Sequence, residues 1–211
     1  MNRLRRLLFP PRCIFCSAVL RQGERHICSA CAKKNYTLSR PKAYKGPFYT
    51  NALSAFVYDG DVRRALHRFK FHGALYMAEF FAENMALRLS QTDWKIDLIV
   101  PVPSHFLRRF KKGYDHSRLL GEELSRLTGI PCAPILRKTR RTKPMYGLRV
   151  SQRRANIMDS VVCTRELIDG EKTVLLIDDI ITTGCTAAEC ARLLRKSGAE
   201  RVYALTAAGI K

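Results

Sequence analysis

Residues 174–186 have the sequence VLLIDDIITTGCT, in which four apolar residues lead directly into two carboxylates and then a loop of hydroxyl groups around one glycine. The apolar run predicts a buried parallel strand. Residues 187–196 have helical spacing, so the loop lies between a strand and a helix, where α/β sheets bind ligands. Backbone N–H groups and threonine hydroxyls at a helix start suit a phosphate. Because Asp178 and Asp179 suit the hydroxyls of a sugar, the predicted ligand is a sugar 5-phosphate.

The same thirteen residues resemble the phosphoribosyl pyrophosphate (PRPP) motif of type I phosphoribosyltransferases. The resemblance implies that the two acidic residues hold the ribose 2- and 3-hydroxyls, that the threonine/glycine loop holds the 5-phosphate, and that Mg²⁺ binds together with PRPP. A buried strand followed by an N-capped helix is the alternative, but capping does not require two consecutive aspartates. The implied PRPP-binding residues are Asp178, Asp179, Thr182, Thr183, Gly184, Cys185 and Thr186.

Strand-like and helix-like segments alternate along most of the chain. Such alternation predicts an α/β fold with a parallel sheet and helices on both faces. The predicted strands are residues 52–58, 97–103, 159–163, 173–177 and 201–206, and the predicted helices begin near residues 60, 75, 119 and 187.

Four of the eight cysteines form two C-x-x-C pairs, with eleven residues between them. Two such pairs allow four thiolates to surround one ion, and their separation allows a short hairpin, as in zinc ribbons. A segment as short as residues 10–35 needs such a ligand in order to fold. Rubredoxin-type iron and redox disulfides are the alternatives. The pattern favours structural zinc bound by Cys13, Cys16, Cys28 and Cys31.

The formal net charge of +20 is unevenly distributed. Residues 1–72 carry a net charge of +12 and residues 101–156 carry +11, whereas the PRPP-like region, residues 157–211, carries −1. One ligand of the size of PRPP needs only a few cations, so the excess favours a polyanion as partner, with an anionic membrane surface as the less favoured alternative.

The apolar runs of the chain bear on its location. None approaches the roughly 20 residues that a membrane span needs, and Pro10 and Pro11 interrupt the first basic segment before a signal-peptide core forms. We therefore expect a cytoplasmic protein without a membrane span.

Three further segments extend the resemblance. They are RRALHRFKFHG at residues 63–73, VPVP at residues 100–103 followed by basic residues and GYDH at residues 113–116, and RRTK at residues 140–143. Together with the cysteines and the PRPP-like motif, they make the chain similar to the ComF (ComFC) family. His116 and Met145 depart from that family's usual pattern, which commonly has glutamine at those points.

The ComF resemblance implies a fold, a domain organisation and a role. The fold is a type I phosphoribosyltransferase-like domain, residues 50–211, joined to an N-terminal basic helix and zinc ribbon, residues 1–40. The implied role is natural competence, in which imported single-stranded DNA is handled in the cytoplasm. Related chains serve as utilisation proteins in other bacteria.

Two sets of residues are candidates for the remaining contacts. The turn after residues 100–103 is the candidate pyrophosphate site, formed by Ser104, His105, Arg108 and Arg109. The basic residues 137–143, with Tyr146 and Arg149 after them, resemble a mobile loop that follows a phosphate backbone. The nucleic-acid candidates are Lys111, Lys112, Arg137, Lys138, Arg140, Arg141, Lys143 and Arg149.

These features leave three functions open. The favoured one is a competence protein that binds PRPP and handles single-stranded DNA. The second is an active phosphoribosyltransferase of nucleotide salvage or biosynthesis, although no segment shows an acceptor site and no catalytic residue is identified. The third is a zinc-ribbon scaffold that recruits a competence helicase or other DNA-uptake protein.

Overall fold

The structure, a computed structural model, describes residues 10–34, 44, 46–71, 73–104, 114–140, 157–158 and 160–210. Within these ranges the strands are β1 (Asn51–Val57), β2 (Leu98–Pro101), β3 (Leu136–Lys138), β4 (Val161–Cys163), β5 (Thr173–Ile181) and β6 (Arg201–Gly209). The helices are α1 (Ser29–Ala32), α2 (Gly60–Phe71), α3 (Met77–Ser90), α4 (His116–Thr128) and α5 (Cys185–Lys196).

Four strands form a parallel sheet in the order β1-β6-β5-β2. The run that ends in the two carboxylates, β5, is therefore an interior strand, which explains its apolar sequence. Asp178 pairs in register with Thr206 of β6, and Thr206 pairs with Ser54 of β1. The Ser54 and Thr206 hydroxyl oxygens are 2.8 Å apart and buried, so a row of polar side chains crosses the sheet at the level of the carboxylates.

Helices cover both faces of this sheet. Leu175 and Ile177 of β5 belong to one buried cluster, which also contains residues of α2, α3 and α4. Leu176, between them, belongs to a second cluster with residues of α5. Because successive strand residues point to opposite faces, the two clusters lie on the two sides of the sheet. The predicted fold class, a parallel sheet with helices on both faces, is confirmed.

Two short strands depart from the prediction. The strand predicted at residues 159–163 is not part of the parallel sheet: β4, which covers its last three residues, pairs antiparallel with β3 as a separate two-stranded ribbon. Only the first residue of each strand, Leu136 and Val161, is buried. Three residues with one buried position lack the continuous apolar run of an interior parallel strand.

The N-terminal cysteine module packs against the α2 and α3 side of the sheet. Phe15 is 1% exposed and makes edge-to-face contacts with Phe56 of β1, at 6.1 Å between ring centroids, and with Phe80 of α3, at 5.6 Å. The Arg68 guanidinium of α2 donates to the backbone carbonyl oxygens of Ile14 and Phe15. The module and the larger fold thus share one apolar core.

No helix among the described residues is both long enough and apolar enough to cross a membrane. The basic helix predicted at the N-terminus lies outside those residues.

Candidate functional site: a thiol cluster and a ribose-phosphate pocket

The four predicted zinc ligands converge on one point. The Sγ atoms of Cys13, Cys16, Cys28 and Cys31 all lie within 4.8 Å of one another, and those of Cys16 and Cys28 are 3.7 Å apart. A tetrahedral zinc with Zn–S bonds of about 2.3 Å requires S···S distances of about 3.8 Å. The cluster therefore fits a four-thiolate zinc ion, with every ligand supplied by a nineteen-residue stretch.

Backbone turns bring these thiols together. The Cys13 N–H donates to the Ala18 carbonyl (2.8 Å), and the Ser17 N–H donates to the Cys13 carbonyl (2.9 Å). The turn closes with Ser17 at a φ of 64°, which is unusual for a residue other than glycine. Burial opposes ionisation of Cys13, but hydrogen bonds from nearby backbone N–H groups lower the pKa of its thiol to about 7. This thiol is therefore prepared to bind a cation as thiolate.

The second site lies where β5 ends and α5 begins. A cleft at this point is lined by Asp178, the loop residues 182–186, and Thr206 from the neighbouring strand. Gly184 precedes α5 with a φ of 72°, a left-handed conformation that favours glycine. The start of α5 therefore presents its N–H groups beside the hydroxyls of Thr182, Thr183 and Thr186, as an oxyanion such as a phosphate requires.

A tyrosine from the segment before β1 covers this loop. A Cβ atom placed on Gly184 would lie 2.5 Å from the Tyr49 hydroxyl oxygen, so both the backbone conformation and this contact require glycine. Tyr49 is 5% exposed, and burial raises the pKa of its hydroxyl above the ordinary value. The sequence offered no signal for this contact, because residues 42–50 look like a linker.

The two carboxylates have different partners. Asp179 forms an ion pair with Lys70 of α2, at 2.9 Å between Oδ2 and Nζ. Asp178 accepts hydrogen bonds at Oδ1 from the Ser117 hydroxyl of α4 (2.9 Å) and from the Asp179 N–H (2.8 Å). Burial, and after it the charge of Asp179, raise the pKa of Asp178 to about 7. Asp178, which lines the cleft, therefore gains or loses a proton near neutrality, whereas Asp179 is held in an ion pair with Lys70.

One of these partners lies in a segment that carried the ComF resemblance, and the other directly follows such a segment. Lys70 belongs to residues 63–73, and the helix that bears Ser117 starts at residue 116. Burial opposes the charge of Lys70, but the carboxylates raise its pKa above the ordinary value. Neither residue could be assigned to the site from the sequence, because no local spacing connects Lys70 or Ser117 with Asp178 or Asp179.

Asp115 also has a site role that the sequence did not reveal. Its carboxylate accepts from the Ser104 N–H (3.1 Å) and hydroxyl (2.6 Å) through Oδ2, and from the Arg118 N–H (3.4 Å) through Oδ1. It therefore caps α4 and fixes Ser104, the candidate pyrophosphate residue at the end of β2. The other pyrophosphate candidates, His105, Arg108 and Arg109, lie outside the described residues.

Some of the nucleic-acid candidates also lie among the described residues and others do not. Arg137 and Lys138 belong to β3, so the mobile loop predicted from residue 137 is wrong at its start: both are held by pairing with Val162 and Val161. Arg140 is exposed and donates to the Met158 carbonyl (2.7 Å). Outside the described residues lie Lys111, Lys112, Arg141, Lys143 and Arg149.

The double zinc ribbon domain family model matches residues 4–42, the part of the chain that contains the thiol cluster. Over 216 residues the chain is 28% identical to competence protein F of Haemophilus influenzae, covering 90% of this chain and 93% of that protein. Over most of its length the chain is therefore similar to proteins of the ComF family. It is also 26% identical to the DNA utilization protein YhgH of Escherichia coli K12, covering 93% of this chain and 96% of that protein.

Similarity extends to phosphoribosyltransferases. The chain is 28% identical over 138 residues to the amidophosphoribosyltransferase of Saccharomyces cerevisiae, which covers 65% of this chain and 24% of that enzyme. Among solved structures, an adenine phosphoribosyltransferase matches with a TM-score of 0.41 at 19% identity, covering 82% of this chain and 86% of that one. The PRPP amidotransferase of B. subtilis matches with a TM-score of 0.42 at 19% identity, covering 62% and 26%.

Proposed function

We propose that this protein binds PRPP with Mg²⁺ in the β5–α5 pocket and handles imported single-stranded DNA in the cytoplasm during natural transformation. The observation that carries the PRPP assignment is the position of Asp178 and Asp179, near the end of an interior strand that leads through a short loop into a helix start rich in N–H and hydroxyl donors. Anion donors and sugar-hydroxyl acceptors adjoin in one cleft, as a ribose 5-phosphate requires.

The chemistry of the pocket supports Mg²⁺ as part of the ligand. Magnesium prefers carboxylate and phosphate oxygens and usually binds through the substrate's phosphates. Two carboxylates beside a pyrophosphate and two ribose hydroxyls offer such oxygens, and the metal's charge favours the ionised form of Asp178. The ion pair with Lys70, at 2.9 Å, holds the Asp179 carboxylate in place before the ligand arrives.

The nucleic-acid part of the proposal rests on charge and on relatives. The excess positive charge lies in residues 1–72 and 101–156, outside the strand and helix that form the phosphate loop. Two full-length relatives are named competence protein F and DNA utilization protein. A cytoplasmic location suits a thiolate cluster, which a reducing compartment preserves.

Calorimetry of PRPP binding tests the pocket directly. We expect Asp178→Ala with Asp179→Ala to abolish binding of PRPP in the presence of Mg²⁺ while the protein remains folded. The matched control is Glu166→Ala with Asp169→Ala, which removes two negative charges from exposed positions before β5. Unchanged affinity in the Asp178/Asp179 variant would show that PRPP does not bind here.

A titration with a fluorescent oligonucleotide tests the DNA part. Single-strand affinity should fall with rising salt, with a log–log slope of about −0.7 for each phosphate neutralised. The same titration with and without PRPP measures whether the two ligands influence each other. Binding that is independent of salt would exclude the charge-based interaction.

An active phosphoribosyltransferase remains the second candidate, and the intact carboxylate pair with its phosphate loop favours it. Such an enzyme releases pyrophosphate when an acceptor displaces it from PRPP. Release of pyrophosphate from PRPP that depends on an added base or amine, and that is lost in the Asp178/Asp179 variant, would establish this second function. Tight binding of PRPP without turnover across acceptors would support the first.

A further inference from the structure

We propose that one face of α2, together with the turn that follows it, forms a stacking platform for single-stranded nucleic acid beside the PRPP pocket. We define this α2 platform by Arg63, Arg64, His67, Phe71 and Tyr76. The proposal rests on the nucleic-acid part of the proposed function and deepens it, because it assigns that activity to described residues other than the basic candidates of residues 111–149.

Helical geometry places the first four of these side chains together. Positions three, four, seven and eight apart on a helix share one face, and Arg63, Arg64, His67 and Phe71 have that spacing and are all exposed. The opposite face packs into the core through Val62, Ala65, Leu66 and Phe69. The amphipathic pattern of α2 thus leaves a surface of arginines and rings facing solvent.

The exposure of the rings is unusual. Phe71 is 56% exposed and Tyr76 is 58% exposed, and with Leu75 at 41% they place three large exposed apolar side chains within six residues. The rings of His67 and Phe71 lie 4.7 Å apart with an angle of 37° between their planes. Exposed rings among cations are what proteins that bind single strands use to stack bases of any sequence.

The charge of this surface complements a phosphate backbone. Arg64 forms an ion pair with Asp61, and Lys34 of the zinc module contacts the same carboxylate at 3.2 Å. Asp61 is the acidic residue within α2, so two cations, Arg64 and Lys34, contact its single negative charge. A local excess of positive charge next to exposed rings favours a nucleic acid over an apolar peptide or a second copy of the chain.

The same helix reaches the PRPP pocket. Lys70, one residue before Phe71, is the ion-pair partner of Asp179. The carbonyl of Lys70 lies 3.1 Å from the His116 ring nitrogen Nε2, at the start of α4. The platform and the ion pair to Asp179 thus share one helix, so PRPP that engages Asp179 would act on the helix that carries the platform.

Two probes separate stacking from charge. A twelve-residue oligothymidylate and an abasic oligomer with equal numbers of phosphates differ only in their bases. We expect the parent protein to bind the oligothymidylate at least about tenfold more tightly, because each stacked base contributes that order of affinity. Phe71→Ala with Tyr76→Ala should lower oligothymidylate affinity about tenfold or more and leave abasic affinity unchanged. Leu87→Ala, at an equally exposed apolar position of α3, is the control.

Charge reversal tests the arginines. Arg63→Glu should weaken binding of both probes, and the salt slope should become shallower by about 0.7 for each phosphate that the variant no longer neutralises. Arg201→Glu is the matched control, since Arg201 is exposed at the start of β6, at the sheet edge opposite the pocket. PRPP affinity should remain unchanged in the Phe71/Tyr76 variant, which shows that this variant folds.

The outcomes distinguish the platform from the proposed function. If the parent protein binds neither probe, the nucleic-acid part of the proposed function is wrong and the platform is wrong with it. If the parent binds oligothymidylate but the variants match their controls, only the platform is wrong. Equal parent affinity for both probes would overturn stacking. Photocrosslinking of a bromouracil oligonucleotide to Phe71 or Tyr76, mapped by mass spectrometry, would confirm the platform without any substitution.

Discussion

The thiol cluster and the β5–α5 pocket are both candidate ligand sites, but they are assembled in different ways. All four thiols come from residues 13–31, and short turns bring them together. The pocket instead combines β5 and α5 with Ser117, 61 positions before Asp178, and with Lys70 and Tyr49 from still earlier in the chain. A site made of neighbours in sequence survives in isolation if its ligand binds, whereas the pocket exists only in the complete fold.

The thiol module is less independent than this difference suggests, because it shares a buried core with the larger domain. Cys13, Ile14, Phe15 and Cys31 belong to the same buried cluster as Phe56 and Phe80 of the larger domain. The thiol cluster thus takes its ligands from one short stretch of the chain, but it packs against residues that are distant in the sequence. The proposed domains, residues 1–40 and 50–211, are therefore expected to be coupled in stability.

The largest effect should follow loss of the metal. Cys13→Ser should remove zinc and lower the melting temperature of the whole chain by about 10 °C or more, since each 1 kcal/mol corresponds to about 2–4 °C for a chain of this size and the metal supplies folding free energy. Calorimetry with metal analysis measures this, and Cys163→Ser, outside the cluster, is the control. An unchanged melting temperature would mean that the module contributes nothing to the larger fold.

The shared core is tested next, with the thiols intact. Phe15→Ala should lower the free energy of unfolding by about 3–5 kcal/mol, as expected for a buried phenylalanine, while zinc content stays the same. Urea unfolding followed by two probes, one in each domain, should show one shifted transition. Two separate transitions, with the larger one unshifted, would show that the domains are independent.

The pH dependence of the pocket should have a smaller effect. Because the folded pKa of Asp178 is about 7 and its unfolded pKa is about 4, the folded state binds this proton more tightly. The resulting stability is complete below pH 4 and is lost as pH rises to 7, at no more than about 1.4 kcal/mol per pH unit. Asp178→Asn should remove this component from stability curves measured between pH 5.5 and 8.

Ligand binding should show the opposite trend. Mg²⁺ and PRPP require the ionised carboxylate, so their affinity should increase by up to about tenfold per pH unit until pH 7. The charged groups around Asp178 are Asp179 and Lys70, so the same measurements on Asp178→Asn distinguish this titration from theirs. A flat affinity profile would show that Asp178 is already ionised in the free protein.

The smallest effect concerns a single hydrogen bond. Ser117→Ala removes the hydroxyl that favours ionised Asp178, and PRPP affinity at pH 7 should fall about two- to tenfold, corresponding to about 0.5–1.5 kcal/mol. Ser125→Ala is the control on the same helix, since its hydroxyl donates to the Ile130 carbonyl (2.6 Å) away from the pocket. Equal PRPP affinities in the two variants would show that Ser117 of α4 does not contribute to the pocket.

Local patterns in the sequence were sufficient for the strands and helices of the parallel sheet and for the thiol cluster. Apolar runs and helical spacing repeat over a few residues, and two C-x-x-C pairs fix their ligands within one short stretch. The same holds for the carboxylates and phosphate loop as candidates, because strand, loop and helix follow one another without interruption. The PRPP ligand itself and the pyrophosphate candidates remain predictions.

The partners of those residues depended on the tertiary structure. Lys70 meets Asp179, Ser117 meets Asp178 and Tyr49 covers Gly184 only because the helices and the segment before β1 pack against the sheet, and no periodicity connects residues so far apart. The antiparallel pairing of β3 with β4 could not be predicted from local patterns either, because the pairing of a three-residue strand depends on which other strand lies next to it in the fold. Spacing along the chain determines which groups are present, and packing determines which of them face one another.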